Sequence, residues 1–248
     1  VFAADADFTQ ANIEHVIFTD VTVRGEARFR EANLRGDANC DGMQFEGAAI
    51  FEEVTAEGDI DFEGATFDEG ASFEGSELRG GARSLHDDLR LVDVTFDGPV
   101  SFTAAHVRGV NATDATFRGE TNVDNLQSHG DLVFEDADFH GPVSFEESNF
   151  GDDVSFTGAR FVFRGARFKG ETATMQANSR FDDTRFESGA DFTGVTVTTA
   201  SFDGTKFGGA IDFTDSTFKQ SSQFHFEPVT NETYVNFTDA VVKEGTII

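Results

Sequence analysis

The stretch that decides the fold is Leu132-Val133-Phe134-Glu135-Asp136-Ala137-Asp138-Phe139-His140-Gly141-Pro142-Val143-Ser144-Phe145-Glu146-Glu147-Ser148-Asn149-Phe150-Gly151-Asp152-Asp153-Val154-Ser155-Phe156-Thr157-Gly158-Ala159-Arg160-Phe161. Phenylalanine recurs at Phe134, Phe139, Phe145, Phe150, Phe156 and Phe161, in alternating steps of 5 and 6 residues. Two residues before each stands Leu132, Ala137, Val143, Ser148, Val154 or Ala159, mostly small or β-branched. An α-helix asks for apolar residues three and four apart, and a plain strand asks for strict alternation. The observed step fits neither. It fits a chain that makes a short extended side, turns a corner and repeats. Within a side, residues i−2 and i point inward and i−1 points outward. The six phenylalanines are therefore read as a core stack.

The frame extends in both directions. Backward it runs through Phe2, Phe8, Ile13, Phe18, Val23, Phe29, Leu34, Cys40, Phe45, Phe51, Ala56, Phe62, Phe67, Phe73 and Leu78. It resumes at Phe96, Phe102, Val107, Ala112, Phe117 and Val123, and again from Phe181 through Phe224 to Phe237, Val242 and Ile248. Self-similarity at a short fixed period marks a solenoid, which is one continuous unit rather than a set of packed domains. We read 1–248 as a single unit, irregular around 79–95 and 172–180. In the first region Ser84 and Leu89 nearly hold the frame but Leu85 and Leu91 compete, which predicts a loop or a distorted coil. In the second, 172–179 lacks a large central residue and predicts a loop. Phe161-Val162-Phe163 and Phe224-His225-Phe226 each shift the frame by two, which predicts bulges.

Ala6-Asp7-Phe8-Thr9-Gln10, Ala32-Asn33-Leu34-Arg35-Gly36, Ala137-Asp138-Phe139-His140-Gly141 and Ala190-Asp191-Phe192-Thr193-Gly194 resemble the pentapeptide repeat proteins, over nearly the whole chain. The resemblance implies an all-β fold: a right-handed quadrilateral β-helix with the central Phe or Leu stacked inside. With six-residue steps, a coil takes about 22 residues, giving about eleven coils and a rod of about 50 Å. The extra residue is expected to widen alternate corners.

Composition agrees. The chain has 30 Phe, 1 Tyr and no Trp, so its aromatics are chosen for stacking without a polar handle. The 25 Gly suit corners, where φ is often positive. No helical stretch of normal length is evident.

The charge is extreme: 46 acids against 18 Lys plus Arg, a net −28. Only Lys169, Lys206, Lys219 and Lys243 are lysines. Acids at every outward position, with Lys depleted, describe a halophile's solvated, salt-adapted surface, where molar salt screens self-repulsion. The second reading is polyanion mimicry. The resemblance implies it, because some pentapeptide repeat proteins resemble DNA and occupy the DNA site of a type II topoisomerase such as gyrase. Those relatives tend to dimerise through a C-terminal helix, which this sequence lacks. Binding to nucleic acid is excluded on charge.

Chemistry is sparse. Cys40, the single cysteine, takes a central repeat position and reads as a buried apolar residue. The histidines at 15, 86, 106, 129, 140 and 225 show no ligand spacing and read as outward corner residues. Asp37, Asn39 and Asp41, followed by Gly42, match the first half of a calcium loop, but its twelfth position is Ala48 instead of Glu. A calcium-stabilised module is the third reading. Asn111, Asn231 and Asn236 open Asn-x-Ser/Thr sequons and are glycosylation candidates, favouring the cell surface over the cytoplasm. There is no phosphate loop, nucleophile elbow or zinc pattern, and no apolar run long enough to span a membrane. The expectation is a non-enzymatic structural or interaction solenoid, without cofactor, whose partner is another protein or itself. Phe2 is already central and Thr246-Ile247-Ile248 is a complete side. This predicts further chain, or head-to-tail neighbours, covering the ends.

Overall fold

The computed structural model describes residues 1–80, 89–162, 166–168, 174–228 and 234–242. Its elements are parallel strands, mostly two residues long, and no helix occurs among the described residues. Ala6–Asp7, Asn12–Ile13, Val16–Ile17 and Thr22–Val23 make the first circuit, one strand per side. Ala27–Arg28 then lies parallel on Ala6–Asp7, Asn33–Leu34 on Asn12–Ile13, and Ala38–Asn39 on Val16–Ile17. The offset of four strands continues upward, so the molecule is a four-sided parallel β-solenoid. Its first face is a sheet of eleven strands, from Ala6–Asp7 to Val235–Asn236. At ~4.8 Å between strands that is a rod of roughly 48 Å, as the repeat predicts.

The alternation of steps has a direct structural cause. After the first and third faces the chain closes a tight β-turn. Ala11 N donates to Phe8 O at 3.0 Å, and Val21 N donates to Phe18 O at 3.1 Å. The third residue of each such turn is left-handed, as in Gln10 (φ 58°), Asp20 (φ 57°) and Glu31 (φ 57°). Acidic side chains take this position more often than glycine, contrary to the expectation that glycine marks positive φ. At the second and fourth corners glycine serves a different purpose. A Cβ on Gly47 would sit 2.6 Å from Gly25 O, and one on Gly58 would sit 2.3 Å from Gly36 C. There the backbones of successive coils touch, and the sixth residue provides the wider path.

The core is a set of columns along the axis. On the first face Phe8, Phe29, Phe51, Phe73 and Phe102 stack with centroids 4.8–4.9 Å apart. Val123 interrupts, and Phe145, Phe168, Phe192, Phe213 and Phe237 continue. On the fourth face Phe45, Phe67, Phe96, Phe117, Phe139, Phe161 and Phe186 stack. The third carries Phe134, Phe156, Phe181, Phe202 and Phe224. The second face is mainly aliphatic. Phe134, Phe139, Phe145, Phe150, Phe156 and Phe161 are all buried, as expected of a core stack. They belong to four different columns, however, and the parallel ring-on-ring contacts run one coil apart.

The irregular regions differ in part from the expectation. Ile60 pairs with Leu89 and Asp61 with Arg90, a separation of 29 residues where most coils take 21 or 22. Leu89 and Leu91 do not compete: both are buried, as the i−2 and central residues of one side. Ser84 and Leu85 lie outside the described residues. Within 172–180, Thr174–Arg180 is a strand and not a loop. Met175 supplies its buried central residue, and the register slips between Met175 and Asn178. Near Phe224 the register also shifts, and the unpaired residue is Gly204 on the coil below. Phe163 and Ile248 lie outside the described residues.

Candidate interaction surface

A local rule recurs at outward positions, and it spends many of these side chains on the fold itself. The residue at i−1 of a first- or third-face side often caps the following turn, its oxygen accepting the N–H two residues on. This holds for Asp7 with Thr9, Asn39 with Asp41, Asp61 with Glu63, Asn111 with Thr113, Asn122 with Asp124, Asp191 with Thr193, Asp212 with Thr214 and Asn236 with Thr238. Buried hydroxyls tie coils together from inside. Ser148 Oγ donates to Val123 O at 2.6 Å and accepts from Leu126 N at 3.1 Å. Ser76, Thr184, Thr205 and Ser216 likewise donate to Phe51, Phe156, Phe181 and Phe192 carbonyls.

This rule places the sequence candidates. Asn111 and Asn236 are turn caps: Thr113 Oγ1 and Thr238 Oγ1 donate to their Oδ1 atoms at 2.8 and 2.7 Å. Other coils carry Asp-x-Thr at the same place, so Asn-x-Thr arises here as one spelling of the corner. Asn231 lies outside the described residues. In the calcium candidate, Asn39 Oδ1 accepts from Asp41 N and from Thr19 Oγ1, and Asn39 Nδ2 donates to Asp41 Oδ2. Asp37 Oδ1 accepts from Asp59 N, at a different corner. The Asn39 and Asp37 oxygens are engaged in capping, and Asp41 Oδ1 is buried without a hydrogen-bond partner. Among the described residues no group of three or more His, Cys, Asp or Glu is arranged to hold a metal ion. Burial, reinforced by the negative charges of Asp41 and Asp61, pushes the Cys40 thiol up to about 12, which removes it as a nucleophile at neutral pH.

Acids stand at the corners on all four edges, among them Glu52 and Glu53, Asp152 and Asp153, Glu135 and Asp136, and Asp68 and Glu69. The basic residues mostly answer neighbouring coils. Arg30 meets Glu52 at 2.6 Å, Arg90 meets Glu63 at 2.7 Å, and Arg160 and Arg185 share Glu187 at 3.1 and 2.9 Å. The guanidinium of Arg185 holds the Glu187 carboxyl below its ordinary value.

One feature escaped the sequence reading. A groove over the second face and its corner is lined by Glu77, Arg79, His106, Arg108 and His129. Glu77 lies beside His106, which lies beside Gln127, on successive coils. Arg108 N donates to Leu78 O and His129 N to Val107 O, so Arg79, Arg108 and His129 form one column. A Cβ on Gly130 would stand 2.5 Å from Arg108 O, so the backbones of the two coils touch there. His106 and His129 are 23 residues apart, about one coil, a separation that linear ligand spacing does not reveal.

The fold and surface define a non-helical, four-sided parallel β-solenoid. Residues 41–83 and 129–162 match the family model described as Pentapeptide repeats (9 copies), in keeping with a right-handed β-helix. The chain is a parallel β-solenoid, and those two stretches are similar to pentapeptide repeats. Two trypsin-treated forms of QnrB1, a plasmid-mediated fluoroquinolone resistance protein, are similar solved structures. One is 12% identical, covering 98% of this chain and 93% of that chain at a TM-score of 0.29. The other is 14% identical, covering 94% and 91% at a TM-score of 0.21. No curated protein matches the chain. No helix among the described residues is long and apolar enough to cross a membrane.

Proposed function

We propose that this chain is a non-enzymatic structural and interaction rod with an acidic, salt-adapted surface. The observation that carries the reading is the placement of the acids: they line all four edges of the solenoid. Solvation of a whole surface accounts for that distribution, and one negatively charged docking face does not. The outward polar groups cap turns and tie coils, the lone thiol is buried, and a rigid core holds the surface in one shape. Such a rod suits recognition by shape and charge pattern. Phe2, Tyr234 and Val241 are exposed on outer described coils. End-to-end contact there, with further chain or a second copy, belongs to this reading, and sedimentation at molar salt tests it.

Polyanion mimicry is the second reading, and one quantity favours it. A net −28 over roughly 48 Å is about one charge per 1.7 Å, the linear density of duplex DNA. A supercoiling assay with a type II topoisomerase separates the two. The interaction-rod reading expects no inhibition at stoichiometric protein. Inhibition that strengthens as salt is lowered would favour mimicry instead.

A further inference from the structure

We propose that a groove on the first face docks an extended segment of a partner protein through an arginine flanked by apolar side chains. Such binding presupposes the interaction-rod reading and gives it a surface and a partner chemistry. The groove crosses four coils, from Ala48 to Asn122, and its volume of about 350 Å³ lies near the lower end of the range for binding sites. Between Arg28 and Arg167 the outward row of this face carries no charge: Ile50, Ser72, Ser101, Asn122 and Ser144 follow one another on successive coils. The polar atoms of three of them are engaged at the following turn. Ser72 Oγ donates to Glu52 Oε1, Ser101 Oγ donates to Thr103 Oγ1, and Asn122 Oδ1 accepts from Asp124 N. The groove beside them is lined by carbon from Ala48, half-buried Ile50 and exposed Pro99.

The corner leading into this face departs from its rule on one coil. Register aligns Ala49, Ala71 and Val100, and the two residues before them read Gly47-Ala48, Glu69-Gly70 and Gly98-Pro99. Glycine has moved one place along, so Glu69 stands where the neighbouring coils have none but a hydrogen for a side chain. Gly70 is required where it is, since its φ is +91° and a Cβ would meet Pro99 O at 2.0 Å. With no side chain between Ala48 and Pro99 the surface dips, with Glu69 at its edge. Thr121 pairs with Val100, which sets Glu120 directly above Pro99. Gly98-Pro99 therefore lies one coil, ~4.8 Å along the axis, from the coil of each acid.

Both carboxylates are exposed. The bases of this face answer other acids: Arg28 meets Asp5 and Glu26, Arg30 meets Glu52, and Arg167 meets Glu146. Among the described residues no base is paired with Glu69 or Glu120, and a cation seated over Gly98-Pro99 can reach both. Guanidinium suits this seat better than ammonium. Its five donors lie in one plane and serve two carboxylates at once, it is more weakly hydrated, and its stem covers apolar surface. Three coil spacings are about 14 Å, the length of four or five extended residues. In such a segment the side chains two before and two after the arginine point the same way, toward the carbon lining at either end.

The test uses the whole chain in about 1 M NaCl, where a Debye length of ~3 Å screens attraction by remote acids. A capped Leu-Ser-Arg-Ser-Leu peptide is titrated while the Ile50 and Ala71 methyl signals are followed by NMR. Saturable shifts are expected. Replacing the arginine by neutral citrulline, or both leucines by alanine, should each weaken binding at least about fivefold. The double variant Glu69→Gln, Glu120→Gln should weaken it at least about tenfold. Glu14→Gln with Glu57→Gln removes the same charge from exposed acids at the corner after the second face and should leave it unchanged. Circular dichroism checks that both variants keep the β spectrum. Absence of saturable shifts, equal affinity for either altered peptide, or equal weakening by the two double variants overturns the proposal. Failure of the interaction-rod reading is seen separately, as topoisomerase inhibition in an assay without the peptide.

Discussion

Phe145→Ala is the sharpest probe of the core. Phe145 is 1% exposed and stacks on Phe168 with centroids 4.8 Å apart and planes 4° from parallel. Its edges meet Phe134, Phe150 and Phe156 at 6.0, 6.1 and 5.5 Å. Below it the column is already interrupted by Val123, so the ring has no stacked aromatic on that side. Truncation removes the ring from a site whose walls cannot close. The coil spacing is fixed by backbone hydrogen bonds such as Phe145 N to Arg167 O at 2.7 Å, and the neighbouring rings are held by their own columns. Large-to-small changes at sites that do not collapse fall at the upper end of their range, so a loss of about 3–5 kcal/mol is expected. Urea unfolding gives the total. Because a solenoid's stability is a sum of coil and interface terms, native-state hydrogen exchange should show the loss concentrated in coils next to Phe145. Phe8→Ala, on a half-buried ring of the first coil, should cost less. A loss below about 1 kcal/mol for Phe145→Ala would refute the stacked-column account.

Other predictions follow from single atoms. Ala104 is left-handed at φ 57° with no side-chain cap of its own, so Ala104→Gly should raise stability by about 1 kcal/mol in urea unfolding. No gain would remove the argument that this corner is strained. Ser148→Ala leaves the Leu126 N–H, now bonded to Ser148 Oγ, without its partner inside the core. A loss of about 1–3 kcal/mol is expected, and a neutral result would show the bond to be dispensable. Asp41 is held above its ordinary value by burial first and then by the charge of Asp61. Its folded form binds a proton more readily than its unfolded form. Its contribution therefore falls as pH rises from the ordinary carboxylate value through the raised one. Asp41→Asn should flatten that dependence and leave the variant more stable at neutral pH. A pH profile unchanged by the substitution would contradict this.

Much of the architecture was legible because it follows from one repeated local decision. Phe134 to Phe161 display the alternating step, and inward and outward positions follow from it. Why the step alternates was less legible. Positive φ at Gln10, Asp20 and Glu31 and backbone contact at Gly47 are properties of stacked coils, and the residue letters do not distinguish them. Leu91, Phe168 and Met175 were not recognised as central, because each follows an irregular spacing that only the pairing with its neighbours resolves. The surface was hardest to read. Asn111 and Asn236 also cap turns, a role that their sequons do not announce. His106 and His129 look unrelated until one coil of chain is wound between them.

The proposed role of the acids is to solvate the rod in salt, and stability against salt concentration is the decisive measurement. Urea unfolding should be measured from about 2 M NaCl down to about 0.1 M, urea being uncharged and leaving the ionic strength under control. Dilution lengthens the Debye length from about 2–3 Å to ~10 Å, so the net −28 repels itself across neighbouring coils. A steady fall in unfolding free energy on dilution is expected. A protein equally stable, or more stable, at 0.1 M would contradict it.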